Sequence, residues 1–160
     1  MHPHEQLIER FYQALADGDA VTIGACYADD ALFEDPAFGV LSADEARSMW
    51  QMLLHRADDL QVAWGGIQAD DTRGRAEWEA RYTFNGNPVV NRVSAAFGFG
   101  GGLIIRHVDT FDWPTWARQA LGTPGRLLGN THFLHNQATK KARAQLEAYR
   151  RGLGPAGPPG

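Results

Sequence analysis

The feature that most constrains the fold is a strict alternation of polar and apolar residues over positions 75 to 84. Arg75, Glu77, Glu79, Arg81 and Thr83 alternate with Ala76, Trp78, Ala80, Tyr82 and Phe84. Successive side chains of a strand point to opposite faces, so the pattern predicts a strand with one polar and one apolar face. The dipeptide Asn85-Gly86 follows directly and is a strong signal for a tight hairpin turn. We therefore expect an antiparallel sheet around this strand.

Three further strands are predicted around it, which together form an antiparallel meander. They cover about 60 to 69, about 88 to 99 and Leu103 to Asp112. The triplet Gly100-Gly101-Gly102 reverses the chain before the last of them. Gly65-Gly66, inside the first, predicts a bulge or a bend because glycine weakens regular pairing.

The residues before this meander follow helical spacing. A first helix over about 4 to 17 ends at Gly18, and its apolar stripe comprises Leu7, Ile8, Phe11, Tyr12 and Leu15. A shorter helix is expected from Asp19 to Tyr27. Ser42 and Glu45 form a capping box that begins a third helix, whose apolar face is Ala46, Met49, Trp50, Leu53 and Leu54.

A single strand is predicted among these helices. It covers Ala31 to Asp35 and ends at Pro36, which cannot donate to a sheet. Residues 37 to 41 are predicted to be a loop. The predicted order of elements up to the end of the meander is therefore α-α-β-α-β-β-β-β.

Composition excludes several classes of protein. The chain has 160 residues, 44% of them hydrophobic and 21% charged, which is typical of one folded domain. A formal charge of -4 argues against a nucleic-acid partner, which would require a basic surface. There is no long apolar run for a membrane span, no secretory signal, and Cys26 has no second cysteine to pair with, so we expect a cytoplasmic protein.

The last third of the chain differs in charge from the rest. Residues 1–113 carry a formal charge of -10, whereas residues 114–160 carry +6. A short helix is predicted from Pro114 to Leu121, and a longer one contains Ala138, Ala142, Leu146 and Tyr149. The glycine- and proline-rich residues 152–160 are predicted to be disordered.

Four short motifs resemble one superfamily. They are Arg10-Phe11-Tyr12-Gln13-Ala14-Leu15 with Gly18-Asp19, Tyr27-Ala28-Asp29-Asp30-Ala31, Glu34-Asp35-Pro36, and Arg106-His107-Val108-Asp109-Thr110-Phe111-Asp112-Trp113. Together with the order of elements they resemble the nuclear-transport-factor-two-like superfamily, and the last motif resembles its SnoaL-like branch. The resemblance implies an α+β, cystatin-like fold: a curved antiparallel sheet wrapped around N-terminal helices, forming a cone with an apolar pocket.

This resemblance divides the chain into three parts. Residues 4–118 form the predicted SnoaL-like cone domain. Residues 119–151 form a basic helical extension at the C-terminus, and residues 152–160 are the predicted disordered tail. Because many reactions occur on this fold, it indicates the chemistry less well than the architecture.

His107 and Asp109 are the first candidate catalytic residues. As positions i and i+2 of a strand they share a face, and regular alternation places Leu103, Ile105 and Phe111 on that same apolar face. A histidine oriented by a carboxylate is suited to proton transfer near neutral pH. By resemblance to the SnoaL-like cyclases, Asp109 is the acid/base residue. The alternative is a hydrogen-bonded core pair that fixes the sheet register.

Asp35 is the third candidate. By resemblance to the ketosteroid isomerases it corresponds to the general base, whereas a purely local interpretation makes it the acceptor of amides in its own turn. The same resemblance places Phe11 and Ala95 at the positions of the two oxyanion donors of those isomerases. These two departures argue against steroid isomerisation.

Aromatic residues are numerous enough to line a cavity for a flat apolar ligand. The predicted lining consists of Tyr12, Phe33, Phe38, Trp50, Trp64, Trp78, Phe97 and Phe111. We expect no metal site, because His2 and His4 belong to a flexible terminus and His132 and His135 have no evident acidic or cysteine ligand nearby. We also expect no cofactor.

These observations leave three functions open. The first is a cofactor-independent isomerase or cyclase that transfers protons on a hydrophobic carbonyl or polycyclic substrate. The second is a non-catalytic module that binds a hydrophobic ligand or dimerises. The third is hydration of an epoxide, which would use Glu79 and Arg81 if their face lines the pocket. The resemblance also implies a homodimer.

Overall fold

The computed structural model describes residues 1–122 and 132–152. Two helices begin the chain, α1 (Pro3–Asp17) and α2 (Ala20–Ala25). His2 caps the first turn of α1, and Gly18 ends the helix in the left-handed conformation, with φ 74°. The predicted apolar stripe of α1 is buried. The second helix is shorter than predicted because Asp19 is its N-cap and Tyr27 already belongs to a strand.

A hairpin of two strands follows, β1 (Tyr27–Asp35) and β2 (Gly39–Ser42). The prediction of a loop over residues 37 to 41 is therefore wrong for its second half, which pairs antiparallel with the end of β1. Gly39 permits the turn because it adopts a φ of 71°, a conformation that costs glycine nothing. A strand of four residues is too short for its alternation to be recognised in the sequence.

The third helix, α3 (Ala43–Arg56), begins at the predicted capping box. The amide of Glu45 donates to Ser42 Oγ over 3.2 Å, and the amide of Ser42 donates to Glu45 Oε1 over 2.9 Å. Both bonds satisfy backbone groups that the first turn leaves free. The helix buries Ala46, Met49, Trp50 and Met52.

Four long strands complete the sheet: β3 (Gln61–Ala69), β4 (Arg73–Phe84), β5 (Asn87–Gly100) and β6 (Leu103–Thr110). The strand order is β2-β1-β6-β5-β4-β3. Neighbours are antiparallel except for β1 and β6, which run parallel. A register shift between Gly65 and Gln68 confirms the predicted bulge in β3.

The helices pack on this sheet, α1 against β3 and β4, and α3 against β1 and β2. The predicted α+β class is confirmed, since a curved, unclosed six-stranded sheet carries N-terminal helices and a C-terminal helix. None of the helices in the described part of the chain is long and apolar enough to cross a bilayer.

A bulge in β6 corrects the predicted face of this strand. Phe99 pairs with Ile104 and Gly98 with Arg106, so Ile105 is an extra residue. Ile105 is consequently 41% exposed, whereas Ile104 is fully buried. The prediction that Leu103 and Ile105 share the face of His107 is wrong, because one inserted residue reverses the alternation on one side of the bulge.

Two helices follow the sheet, α4 (Trp113–Ala120) and, beyond the undescribed residues 123–131, α5 (His132–Arg150). Asp112 caps α4 through its side chain. Helix α5 buries Leu146 and Tyr149 and packs on α3. Of the tail predicted to be disordered, residues 153–160 lie outside the described residues.

The C-terminal helix is also held against the hairpin of β1 and β2. The Arg143 guanidinium donates to the carbonyl oxygen of Phe38 over 2.7 Å and to that of Val40 over 3.0 Å. His135 Nε2 lies 2.6 Å from the carbonyl oxygen of Pro36. The basic extension therefore packs back on the body of the protein beside the end of β1.

Candidate active site

The interior of the described part of the chain contains two buried ionisable side chains that face each other, His107 and Asp109. They are 1% and 3% exposed, respectively. Both project from the same face of β6, below the bulge, and His107 Nε2 lies 2.9 Å from Asp109 Oδ1. Burial of two polar groups in an apolar interior is costly unless they bond to each other, as they do here.

Tyr27 and Trp50 extend this pair into a hydrogen-bond chain. Trp50 Nε1 donates to the Tyr27 hydroxyl over 3.0 Å, and that hydroxyl lies 2.8 Å from His107 Nδ1. Since an indole N–H only donates, the single proton of Tyr27 is directed to Nδ1. Burial raises the pKa of Tyr27 well above its ordinary value, so the hydroxyl keeps that proton. In the neutral ring of His107 the proton therefore sits on Nε2 and is donated to Asp109.

Aromatic rings fix the plane of the imidazole. Phe97 lies against it with ring centroids 4.5 Å apart, and Trp50 stacks on it at an interplanar angle of 16°. The remaining contacts are the edge-on rings of Phe11 and Phe33 and the stacked ring of Tyr27. This cage prevents His107 from rotating away from Asp109.

Asp35, the third candidate, is the last residue of β1 and accepts hydrogen bonds within its own turn. Its Oδ1 accepts hydrogen bonds from the amides of Ala37 at 2.9 Å and Phe38 at 2.6 Å, as the local interpretation predicted. Oδ2 receives no hydrogen bond from the residues that the structure describes.

The surroundings of Asp35 also alter its protonation. Burial of the carboxyl raises its pKa to about 7, the amide of Phe38 opposes this, and the negative charge of Asp109 adds to it. The imidazole of His107 acts on the same carboxyl and lowers its pKa. The structure thus brings the three predicted catalytic residues into one electrostatic neighbourhood.

Phe11 and Ala95, the two positions at which the sequence lacks oxyanion donors, both face this site. Phe11 packs edge-on against His107, with ring centroids 5.3 Å apart. Ala95 is the direct partner of Asp109 in the register of β5 and β6. Neither side chain can donate a hydrogen bond.

The predicted lining residues are distributed unevenly around the site. Tyr12 contacts the rings of Trp64, Trp78 and Phe97. Phe33 and Trp50 contact His107, while the buried Phe38 contributes the amide that binds Asp35. Phe111 is partly buried just beyond the end of β6.

Two cavities outlined by the described residues lie away from the His107–Asp109 pair. An open groove of about 540 Å³ runs along the bend of β3 beside Glu9 and Trp64. A smaller cavity of about 270 Å³ lies between Glu45 and Arg143, where α5 approaches α3. Among the predicted lining residues Trp64 alone borders one of these two cavities, so the apolar pocket stays a prediction.

The charged face of β4 lies on the outside of the sheet. Glu79 accepts hydrogen bonds from Arg81 over 2.8 Å and from Arg92 over 3.2 Å. Both arginines are largely exposed, which identifies an ordinary surface cluster. Glu79 and Arg81 therefore do not face Asp109, as epoxide hydration would require of them.

Sequence reasoning missed the role of Tyr27. It used the residue only as part of a superfamily motif and placed it at the end of a helix. No local pattern could reveal a bond between residues 80 positions apart.

Within residues 1–122 and 132–152, no group of three or more His, Cys, Asp or Glu side chains is arranged to hold a metal ion.

Comparison with known families identifies the relatives of this chain. A family model described as a SnoaL-like domain matches residues 8–107, which is more than half of the chain. The chain belongs to the SnoaL-like domain family. The match ends at His107, so in this SnoaL-like protein Asp109 lies just outside it and the C-terminal helix lies well beyond it. A search of curated proteins gave no match.

Solved structures share the fold of this SnoaL-like protein at low identity. An LEH-like epoxide hydrolase of M. tuberculosis is 21% identical, with a TM-score of 0.64 over 79% of this chain and 93% of that one. A hypothetical protein with a ketosteroid isomerase-like fold from Catenulispora acidiphila, solved in complex with trimethylamine, is 16% identical, with a TM-score of 0.64 over 75% of this chain and 95% of that one.

A third structure, TerC crystallised with polyporic acid, is 15% identical, with a TM-score of 0.66 over 76% of this chain and all of that one. Identities this low show a shared fold and leave the function of this SnoaL-like protein to be argued from its own residues.

Proposed function

We propose that this SnoaL-like protein catalyses proton transfer on a hydrophobic carbonyl or polycyclic substrate, as an isomerase or cyclase without a cofactor. Asp109 is the acid/base group, His107 its orienting partner, and Asp35 a second carboxyl that exchanges protons near neutral pH. The observation that carries the proposal is the buried His107–Asp109 pair, whose hydrogen-bond direction is set by Tyr27 and Trp50.

The proposed reaction begins at Asp109. Its Oδ1 is occupied by His107, whereas Oδ2 accepts no hydrogen bond from the described residues and is available to a C–H group beside a carbonyl. Oδ2 takes the proton, the electron pair of the C–H bond forms a C=C bond, and the π pair of the C=O bond moves to the oxygen, which gives an enolate. In a substrate with a C=C bond next to that carbon, the enolate oxygen re-forms C=O and the proton is returned to the far carbon of that bond. The product is an isomer with its double bond moved, with no net gain or loss of atoms or electrons.

Asp35 is suited to the return of a proton. With its pKa raised to about 7 by burial, it is partly protonated at neutral pH and can act in either direction. Asp35 and Asp109 thus occupy different environments within one site, which favours different roles for the two carboxyls.

A non-catalytic ligand-binding or dimerising module is the second candidate, and a specific observation favours it. Phe11 and Ala95 cannot donate hydrogen bonds to an oxyanion, and both nitrogens of His107 are already bonded within the protein. Such a module would bind a flat hydrophobic molecule without transforming it.

Hydrogen–deuterium exchange separates these two candidates whatever the final product is. Bicyclic and tetracyclic ketones are incubated with the protein in D2O, and deuterium incorporation beside the carbonyl is followed by NMR. We expect exchange with the wild type and a loss of about 100-fold or more in Asp109→Asn, which keeps the shape but removes the base. The control is Glu79→Gln on the outer face, which should exchange at the wild-type rate. Exchange that is equal in Asp109→Asn, or absent for every ketone in the wild type, would reject the enzyme in favour of the binding module.

The homodimer implied by the fold resemblance is also a proposal. Leu32, Val40 and Ile105 are 48%, 52% and 41% exposed on the neighbouring strands β1, β2 and β6. We expect this face to bind a second copy of the chain, and light scattering should detect a dimer. Substitution of both Leu32 and Ile105 by lysine should give a folded monomer, whereas a monomeric wild type would refute the dimer.

A further inference from the structure

Tyr12 and Trp78 each bury a hydrogen-bond donor that has no partner among the described residues, at the Tyr12 hydroxyl and at Trp78 Nε1. Buried polar groups are nearly always paired, because an unpaired one has lost its water without compensation. A third such donor, Trp113 Nε1, belongs to a ring that stacks on His135 of the C-terminal helix and lies in a different cluster.

The two donors belong to neighbouring rings on the inner face of the sheet. Tyr12 projects from α1 onto Trp78 of β4, with ring centroids 5.8 Å apart. Tyr12 also contacts Phe97, and Trp78 contacts Trp50 at 6.2 Å. Since Phe97 and Trp50 both lie against His107, the rings of Tyr12 and Trp78 border the cage around the proposed acid/base pair.

Small residues separate Asp109 from the ring of Trp78. In the sheet register Asp109 is opposite Ala95, and Ala95 is opposite Ala76. Trp78 is two residues from Ala76, on the same face of β4. The side chains on the sheet surface between the carboxyl and the indole are thus the methyl groups of Ala95 and Ala76, together with Val93, the direct partner of Trp78 in β5.

The chemistry of the two groups defines what they can bind. Burial raises the pKa of Tyr12 well above its usual value, and the negative charge of Asp109 adds a smaller contribution. The Tyr12 hydroxyl therefore remains protonated. An indole N–H is a donor only. Two unpaired donors call for an acceptor, and an oxygen with two lone pairs satisfies both.

We propose that the Tyr12 hydroxyl and Trp78 Nε1 together bind the carbonyl oxygen of the ligand and stabilise the charge that develops on it. This inference deepens the proposed function, on which it rests for the step from binding to enolate stabilisation. It assigns to α1 and β4 the donors that Phe11 and Ala95 cannot supply. The substrate class is then a ketone or related carbonyl compound on a flat apolar frame, with its oxygen at Tyr12 and Trp78 and its acidic C–H bond toward Asp109.

A pair of probes that differ in one group tests this assignment. 2-Acetylnaphthalene carries a carbonyl oxygen, and 2-isopropenylnaphthalene replaces that oxygen by a CH2 group in the same shape. We expect the wild type to bind the ketone at least about tenfold more tightly, as one or two hydrogen bonds would provide. Tyr12→Phe and Trp78→Phe should each reduce this ratio about fivefold or more while leaving the affinity for the alkene nearly unchanged.

Trp116→Phe is the matched control, because its indole N–H already donates to Tyr82 over 2.7 Å. The ketone-to-alkene ratio of this control should equal that of the wild type. A second readout is the infrared C=O stretch of bound, ¹³C-labelled ketone, which the two donors should lower and Tyr12→Phe should shift back upward. Tyr12→Phe should also unfold at a temperature no lower than the wild type, because it removes an unpaired buried hydroxyl.

The outcomes distinguish this inference from the proposed function. A ratio near one in the wild type, no detectable binding of the ketone, or a ratio that Tyr12→Phe and Trp78→Phe leave intact overturns the donor pair. If the ratio depends on the two donors while Asp109→Asn exchanges deuterium as fast as the wild type, the donor pair stands and the acid/base role of Asp109 fails. If Asp109→Asn loses deuterium exchange while the ketone-to-alkene ratio of the wild type is near one, the acid/base role of Asp109 stands and the donor pair fails.

Discussion

Glu79 and Asp109 show how much the environment changes one kind of interaction. Each is a carboxylate paired with a nitrogen group across 2.8 to 2.9 Å. Glu79 lies on the outer face of the sheet with two exposed arginines, whereas Asp109 and its partner His107 are shielded from water. The outer pair competes with solvent and loses side-chain entropy when it forms, so it contributes little. The inner pair has no solvent to replace a lost partner, so breaking it leaves a buried group unpaired.

The largest expected effect is that of His107→Ala. It empties the aromatic cage and leaves Asp109 and the Tyr27 hydroxyl without their partner. We expect the free energy of unfolding to fall by about 3 to 5 kcal/mol, measured by urea denaturation. The matched outer-face variant, Arg92→Ala, should lose less than about 1 kcal/mol. Equal losses in the two variants would remove the distinction between the faces.

Tyr27→Phe tests the direction of the hydrogen-bond chain. It leaves Trp50 Nε1 and His107 Nδ1 without a partner, so we expect a loss of roughly 2 to 3 kcal/mol. In the wild type, ¹⁵N NMR of the neutral imidazole should show the proton on Nε2, and in the variant that preference should weaken. Finding the proton on Nδ1 in the wild type would contradict the chain as described.

Asp35→Asn extends the comparison to a third carboxyl through the pH dependence of the free energy of unfolding. Burial raises the pKa of Asp35 to about 7, above that of an ordinary Asp. Between about pH 4 and pH 7 the folded protein therefore holds a proton that the unfolded chain has released, and its free energy of unfolding falls as the pH rises through this window. Asn keeps the acceptor for the amides of Ala37 and Phe38 but carries no charge.

The stability of Asp35→Asn relative to the wild type should consequently increase by roughly 2 kcal/mol from pH 4 to pH 8. This figure is smaller than the full pKa difference would give, because Asp35 is partly exposed and solvent screens its charge. Urea denaturation of both proteins at several pH values measures this difference, in which the titration of unchanged groups largely cancels. A difference that is constant over the range would show that Asp35 titrates as an ordinary carboxyl.

The smallest effect is expected for Glu79→Gln. Its ion pairs with Arg81 and Arg92 are open to solvent, so the free energy of unfolding should change less than in any of the variants above. Added salt should shrink the difference further, since mobile ions screen exposed charges. A loss of the size expected for His107→Ala would mean that the outer cluster is a structural element of the sheet.

Local features of the secondary structure can be predicted from the sequence. The capping box at Ser42 and Glu45, the glycine that ends α1 and the alternation of β4 depend on residues within one turn of helix or one stretch of strand. His107 and Asp109 were predicted to share a face, and they do. The hairpin partner β2 was missed because its four residues carry too little pattern to distinguish a strand from a loop.

Most of the helices and strands, the superfamily and the candidate pair on β6 follow from the amino-acid pattern alone. Tertiary structure decided that Ile105 forms a bulge, that Tyr27 and Trp50 orient His107, and that Arg143 and His135 fasten the last helix beside Asp35. The two groups of features differ in the range of the interactions that produce them. Periodicity and capping act over a few residues, whereas these contacts join segments distant in the chain, whose proximity depends on how the whole sheet curves and packs.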